Sequence, residues 1–295
     1  MRIVIAGGTG VLGQRIVPLL LDQGHRVTIL ARRPEKARPL AALGAEIAAG
    51  DVFDAERVRQ VVLAAAPEVV MHQLTDLAGG VGPGNAEVRR AGTRNLVDAA
   101  RAAGARRFIV QSIAWAYQGG GEPADEATPL DTAAADATRR DTVDGIRVLE
   151  QAARELPEPV ILRNGLLYGP GTWYWAAGAV AESAMAGHLR GTGEVSSFVH
   201  VDDAAAAAVA ALDWPPGAVN VVDDEPAAAS VWVPAFCAAV GAPAPASAAP
   251  GRPRYARGAS NRYARQQLGW KPAWPSWRDG WAELRHEQPP GVVID

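Results

Sequence analysis

Lysine is close to absent from this chain: Lys36 and Lys271 are the two it has, against 27 arginines, and no tyrosine occurs between Tyr117 and Tyr168. A Tyr-x-x-x-Lys proton-transfer pair is therefore excluded from the middle of the chain. Cysteine is scarce too, and Cys237 by itself cannot form an internal disulfide. No run approaches the roughly 20 apolar residues of a membrane helix; the Ala-rich stretch 204–212 follows two aspartates and reads as a buried helix. The N-terminal apolar run is too short for a secretory signal, which makes the cytoplasm the expected compartment. A formal charge of −3 gives no cationic excess, so nucleic acid is not an expected partner. His72 and His188 have no second histidine or carboxylate at ligand spacing, and no metal site is expected.

What the chain does have, over 295 residues of 48% hydrophobic content, is ample material for a packed core. Arg2 to Ala6 reads as a buried strand, Val11 to Gln23 as a helix and Arg26 to Leu30 as a second strand. Strands are expected again near 45–49, 68–72, 107–111 and 160–163, with helices over 55–65, 85–103 and 138–156. Such alternation predicts an α/β fold, a Rossmann-type doubly wound parallel sheet. Residues 1–165 form the expected nucleotide-binding domain, and 166–295 a smaller substrate-binding region from which some strands return to the sheet. The Ala-Pro-rich stretch 242–253 reads as a linker or surface loop.

Gly7-Gly8-Thr9-Gly10-Val11-Leu12-Gly13 places glycines where the first strand turns tightly into a helix. Backbone can approach a pyrophosphate there, and the helix N-terminus offers unpaired N–H groups with partial positive charge. After the second strand, where NAD-binding folds usually carry an acid for the ribose 2′-hydroxyl, the chain reads Leu30-Ala31-Arg32-Arg33. Guanidinium pairs with phosphate, so Arg32 and Arg33 favour NADP(H) over NAD(H). The alternative is that Arg32 and Arg33 are solvated surface charges before Pro34, in which case Asp51, after Gly50, is the residue to hold the adenine amino group.

The glycine turn, Gly50-Asp51-Val52, the run from Leu162 to Gly171, Phe198 to Asp203 and the segment Asn261 to Trp270 together resemble the extended and atypical short-chain dehydrogenase/reductase family, including its epimerase/dehydratase-like members. The resemblance runs over nearly the whole chain. It implies further cofactor contacts from Val52, Gln73, Leu74, Asn164, Gly165 and Leu166. It also shows what is gone. The family serine or threonine, four residues before a tyrosine matched by Tyr117, falls on Ile113, with Ser112 one place off. Matching a family glutamate to Glu150 puts Thr142 and Ile146 in the tyrosine and lysine places.

The absent triad is similar to that of atypical ketoreductases acting on aromatic polyketides in antibiotic biosynthesis. The resemblance implies an NADPH-dependent ketoreductase for an angucyclinone-type aromatic ketone, whose neighbouring phenol supplies the proton. Ser112, Trp115, Tyr117, Trp173 and Tyr174 are the expected substrate-lining residues, because flat rings suit a planar substrate. Trp270, Trp274, Trp277 and Trp281 are expected in the core, and His200 in a structural role. Rival readings are a non-catalytic NADP sensor and a nucleotide-sugar epimerase or reductase. The arginines of 85–103 and 138–156 suit solvated faces and favour a monomer.

Overall fold

Short apolar runs separated by amphipathic stretches build a wound sheet. The computed structural model describes residues 1–75, 83–247 and 257–284. Strands β1 (Arg2–Ala6), β2 (Arg26–Ala31), β3 (Glu46–Ala49), β4 (Val69–His72), β5 (Arg107–Ile113), β6 (Glu158–Asn164) and β7 (Gly217–Val221) form a seven-stranded sheet. Their order is β7-β6-β5-β4-β1-β2-β3, and every neighbouring pair is parallel. The winding direction reverses between β1 and β4, and sheets of this kind bind ligands outside the strands' carboxyl ends at that point.

Alternation along the strands divides the core between two faces. Ile3, Ile5, Val27, Ile29 and Met71 point to one side, against Ile16, Val17 and Leu20 of helix α1 (Gly13–Asp22). Val4, Val70, Phe108, Val110 and Ile161 point to the other. There they meet α2 (Ala55–Ala65), α3 (Thr93–Ala102) and α4 (Ala137–Ala153) through Val58, Val62, Leu96 and Leu149. Side chains start two of these helices: Asp54 accepts from the Arg57 N–H and Asp136 from the Arg139 N–H. Ala66, in the left-handed region at φ 42°, ends α2.

Two expectations are corrected. The first helix starts at Gly13, because Val11 and Leu12 are still part of the glycine turn. The single helix expected over 85–103 is instead a short helix at Pro83–Glu87, a π turn at Val88–Gly92 and then α3. At that turn the Thr93 hydroxyl reaches back to the Val88 carbonyl and meets His72 Nε2 at 3.0 Å, while Gly92 packs on Val52. A wider turn lets the helix meet all three contacts. Beyond 165, β7 returns to the sheet beside β6. The remaining C-terminal pieces close around an aromatic cluster of Tyr168, Phe198, Trp232, Phe236, Trp277 and Trp281. Trp270, Trp277 and Trp281 are all buried, and Trp274 packs against the His200 ring. Among the described residues no helix is long and apolar enough to cross a membrane. Half of the stretch read as a linker, residues 248–253, lies outside the described residues.

Candidate functional site

The glycine turn is close-packed below and open above. Gly7 has φ +97°, and a Cβ there would lie 2.6 Å from the Gln73 carbonyl carbon and oxygen. At Gly13 a Cβ would meet the Gly7 carbonyl oxygen at 2.2 Å. Both glycines are demanded by backbone on backbone. At Gly10 the one neighbour is the Gly7 oxygen at 3.3 Å, so a ligand can approach. Thr9, Val11 and Leu12 complete this turn, which the Gly10 N–H closes onto the Gly7 carbonyl at 3.0 Å.

Around it the structure leaves polar atoms waiting. Gln73, 5% exposed at the carboxyl end of β4, has neither its amide nitrogen nor its oxygen bonded, and Asn164 Oδ1, at the end of β6, is also without a partner. Buried polar groups are normally satisfied, and a dinucleotide lying across the strand ends would supply what these lack. Leu74 is held by its N–H to His72 Nδ1 at 3.2 Å, and Val52 by the Asn95 amide on its carbonyl at 2.9 Å. Asp51 caps its own turn through the Phe53 N–H. Arg32 and Arg33 are exposed just past β2. Gly165 sits against the Phe198 backbone, which carries Leu166 to the edge of a second cavity. These residues fit a nicotinamide dinucleotide.

That second cavity, about 410 Å³, opens beyond the ends of β5 and β6. Ala114, Trp115, Tyr117, Thr142, Leu166 and Tyr174 line one part of it. Asp136, Arg139, Glu194 and Arg257 bring charge to the wall. Trp115 is 38% exposed, with the Arg139 guanidinium 6.0 Å from its ring centre. Arg139 holds this loop on α4, donating to the Trp115 and Tyr117 carbonyls and to Asp131. Trp173 and Ser112 are not among the described residues that line it, although the sequence suggested both.

Two hydroxyls close to the strand ends, those of Ser112 and Tyr117, are engaged with the scaffold. Ser112 is fully buried and donates to Glu150 Oε1 at 2.9 Å. Arg163 grips the same carboxylate with two bonds, Nε to Oε1 at 2.9 Å and Nη2 to Oε2 at 2.7 Å. Its third nitrogen donates to the Tyr117 hydroxyl at 2.9 Å, and that hydroxyl donates to Asn220 Oδ1 at 2.5 Å. Burial pushes the Tyr117 phenol up to about 12. Burial also opposes the Glu150 charge, but Arg163 outweighs it and holds the carboxyl below its ordinary range. Ile113 and Ile146 bring hydrocarbon to the positions matched to the family triad, and Thr142 brings an aliphatic alcohol, 8% exposed. His200 is buried, its Nδ1 accepting from the Asp202 N–H to start the helix Val201–Ala210.

The buried network escaped the sequence reading, which used Glu150 as a landmark. An arginine inside the apolar strand Val160-Ile161-Leu162-Arg163 was the signal, since a charge so placed needs a buried partner.

The chain is similar to known proteins over most of its length. A model of the NAD dependent epimerase/dehydratase family matches residues 3–222. A 3-diazoavenalumate denitrifying reductase from a Streptomyces species is 43% identical over 305 residues, covering 95% of this chain and 99% of the relative. A 2-alkyl-3-oxoalkanoate reductase of Stenotrophomonas maltophilia (strain K279a) is 30% identical, covering 82% of this chain and 77% of the relative. Among solved structures, the UDP-glucose 4-epimerase of Thermus thermophilus in complex with NAD matches with a TM-score of 0.74 at 26% identity, over 98% of this chain and 100% of that one.

Proposed function

Since the chain belongs to the NAD dependent epimerase/dehydratase family and is an NAD(P)-dependent oxidoreductase, we propose that it is a reductase delivering hydride to an aromatic acceptor that asks no proton of the protein. The observation that carries this is the state of the hydroxyls. Ser112 and Tyr117 are locked into the Glu150–Arg163 network, and the positions matched to the triad hold Ile113, Thr142 and Ile146. A positioned acid typically contributes about 10²- to 10⁴-fold, so an acceptor that needs one would be served poorly here.

An arenediazonium meets this condition. It takes a hydride, loses dinitrogen and becomes the arene, with no proton entering the balance. The Streptomyces relative, 43% identical over nearly its whole length, is by its name a reductase of a diazo compound. The bound dihydronicotinamide supplies the hydride. The residues of the chain do the rest: the glycine turn, Gln73 and Asn164 hold the cofactor, and Trp115 and Tyr174 offer rings to the aromatic acceptor. Glu194 offsets cationic charge on the acceptor, and Arg257 suits a carboxylate on it. Arg32 and Arg33 favour NADPH as donor.

A second reading is the reduction of an angucyclinone-type ketone whose neighbouring phenol gives up the proton, which the replaced triad positions Ile113, Thr142 and Ile146 favour. The aromatic wall accommodates either. The test mixes the protein and NADPH deuterated at the transferred position with a carboxylated arenediazonium and, separately, with phenol-bearing ketones. Deuterium on the arene carbon with stoichiometric dinitrogen supports the first reading; deuterium on the carbinol carbon supports the second. Equal turnover of the phenol methyl ether would sink the second, and no transfer to any of them would sink the proposal. The arginines of the π turn and of α3 pair within the chain, Arg94 with Asp98 and Glu155 and Arg90 with Asp141 and Asp144. We therefore take the active species as a monomer, which light scattering would disprove by returning a dimer.

A further inference from the structure

The turn that interrupts the helix after Pro83 carries a second anomaly. Its neighbours Arg90 and Arg94 are half-exposed and paired with carboxylates, whereas Arg89 is 8% exposed and has neither a carboxylate nor a hydrogen-bond acceptor among the described residues. Burial pushes its guanidinium down to about 10. A buried cation without a partner is costly, and such cost persists where a ligand offsets it. π turns of this kind recur at functional sites.

The place to which it is aimed matters. The Arg89 stem crosses α4 at Gly145, where an added Cβ would stand 3.6 Å from Arg89 Cδ and 3.8 Å from its Cβ. Gly145 lies between Thr142 and Ile146, the positions matched to the missing tyrosine and lysine. On its other side the charge is felt by His72, a buried neutral imidazole that burial, with Arg89 adding, pushes down to about 4. His72 ends β4, and Gln73 with its unbonded amide follows. Arg89 thus stands between the strand end that receives the dinucleotide and the helix face that has lost its lysine.

We propose that Arg89 supplies the missing lysine's positive charge, donating to ribose or carboxamide oxygens at the nicotinamide end of the bound cofactor. The inference is independent of which acceptor is reduced. It has a signature that a packing role lacks. Reduced nicotinamide is neutral and the oxidised ring is cationic, while the phosphates are the same in both. A nearby guanidinium therefore favours the reduced form over the oxidised one, by about tenfold for a charge some 8 Å away at an intermediate dielectric.

The experiment titrates tryptophan fluorescence of the full chain with NADPH and NADP⁺, and with NADH and NAD⁺ in parallel. Wild type is compared with Arg89→Lys, Arg89→Gln, Arg89→Met and the neighbouring control Arg90→Gln. Arg89→Gln and Arg89→Met are expected to weaken the reduced cofactor about tenfold and the oxidised one threefold or less. Arg89→Lys should keep the wild-type ratio, and Arg90→Gln should leave both affinities unchanged. Equal losses for both redox forms, no loss in either, or a lysine variant that behaves like glutamine would overturn the assignment. If Arg89→Met fails to fold, the Lys and Gln pair decides it.

Discussion

Replacing Tyr117 by phenylalanine separates a structural hydroxyl from a catalytic one. The residue is 1% exposed, and its hydroxyl donates to Asn220 Oδ1 and accepts from the Arg163 guanidinium at 2.9 Å. Its removal leaves the Asn220 oxygen without that donor and strips one of the bonds that Arg163 makes, although Arg163 keeps the Glu126 carbonyl at 3.2 Å and both oxygens of Glu150. Leaving one buried acceptor unmet costs about 1–3 kcal/mol, and the charged donor adds to this, so a loss of about 2 kcal/mol is expected. For a chain of this size that amounts to a fall in Tm of about 3 °C. The hydride-transfer rate, measured at saturating cofactor well below the new Tm, should stay within about threefold of wild type. A proton donor would lose about 10²- to 10⁴-fold. A loss of that size with an unchanged Tm would refute the assignment of Tyr117 to the scaffold and the acid-free reading with it.

Three further outcomes follow from the geometry. Gly10→Ala should fold with a Tm within a few degrees of wild type, since its methyl meets the Gly7 oxygen at 3.3 Å and nothing else, yet lose about tenfold or more in cofactor affinity; undiminished binding in a fluorescence titration would place the pyrophosphate elsewhere. Arg32→Ser combined with Arg33→Ser should weaken NADPH by about 10- to 100-fold and NADH by less than about threefold, and equal effects on the two would remove the case for a 2′-phosphate contact. Asp223 is 1% exposed and burial raises its carboxyl to about 8. Its folded-state value exceeds its unfolded one, so its stabilising contribution is complete below about pH 4 and is lost as pH rises through about 8. Urea midpoints should therefore decline between pH 5 and 8 in wild type and flatten in Asp223→Asn; parallel slopes would show that Asp223 is not the titrating group.

The sheet could be read from the chain because its signals are local. Arg2–Ala6 and Val69–His72 are continuous apolar runs, and Asp54 sits as a cap one residue before a helix that spans Ala55–Ala65 as expected. The glycine turn was legible for the same reason. What periodicity could not show was the π turn at Val88–Gly92, which depends on Thr93 meeting His72 from another strand. The orientation of Ser112 was hidden for a similar reason: alternation along β5 places it off the cavity, toward a carboxylate 38 residues later in the chain. Arg89 looked like one more surface arginine, because its stem is covered by contacts from another helix, at Gly145.

The engaged hydroxyls of Ser112 and Tyr117 also bear on direction. In ordinary alcohol chemistry the group that lends a proton to an alkoxide is the same group that, run backwards, takes one from an alcohol. A site without the first lacks the second, so alcohols would be poor hydride donors to the oxidised cofactor held here. The Glu150–Arg163 clasp, by keeping both hydroxyls occupied, would make the protein a one-way valve for reducing equivalents.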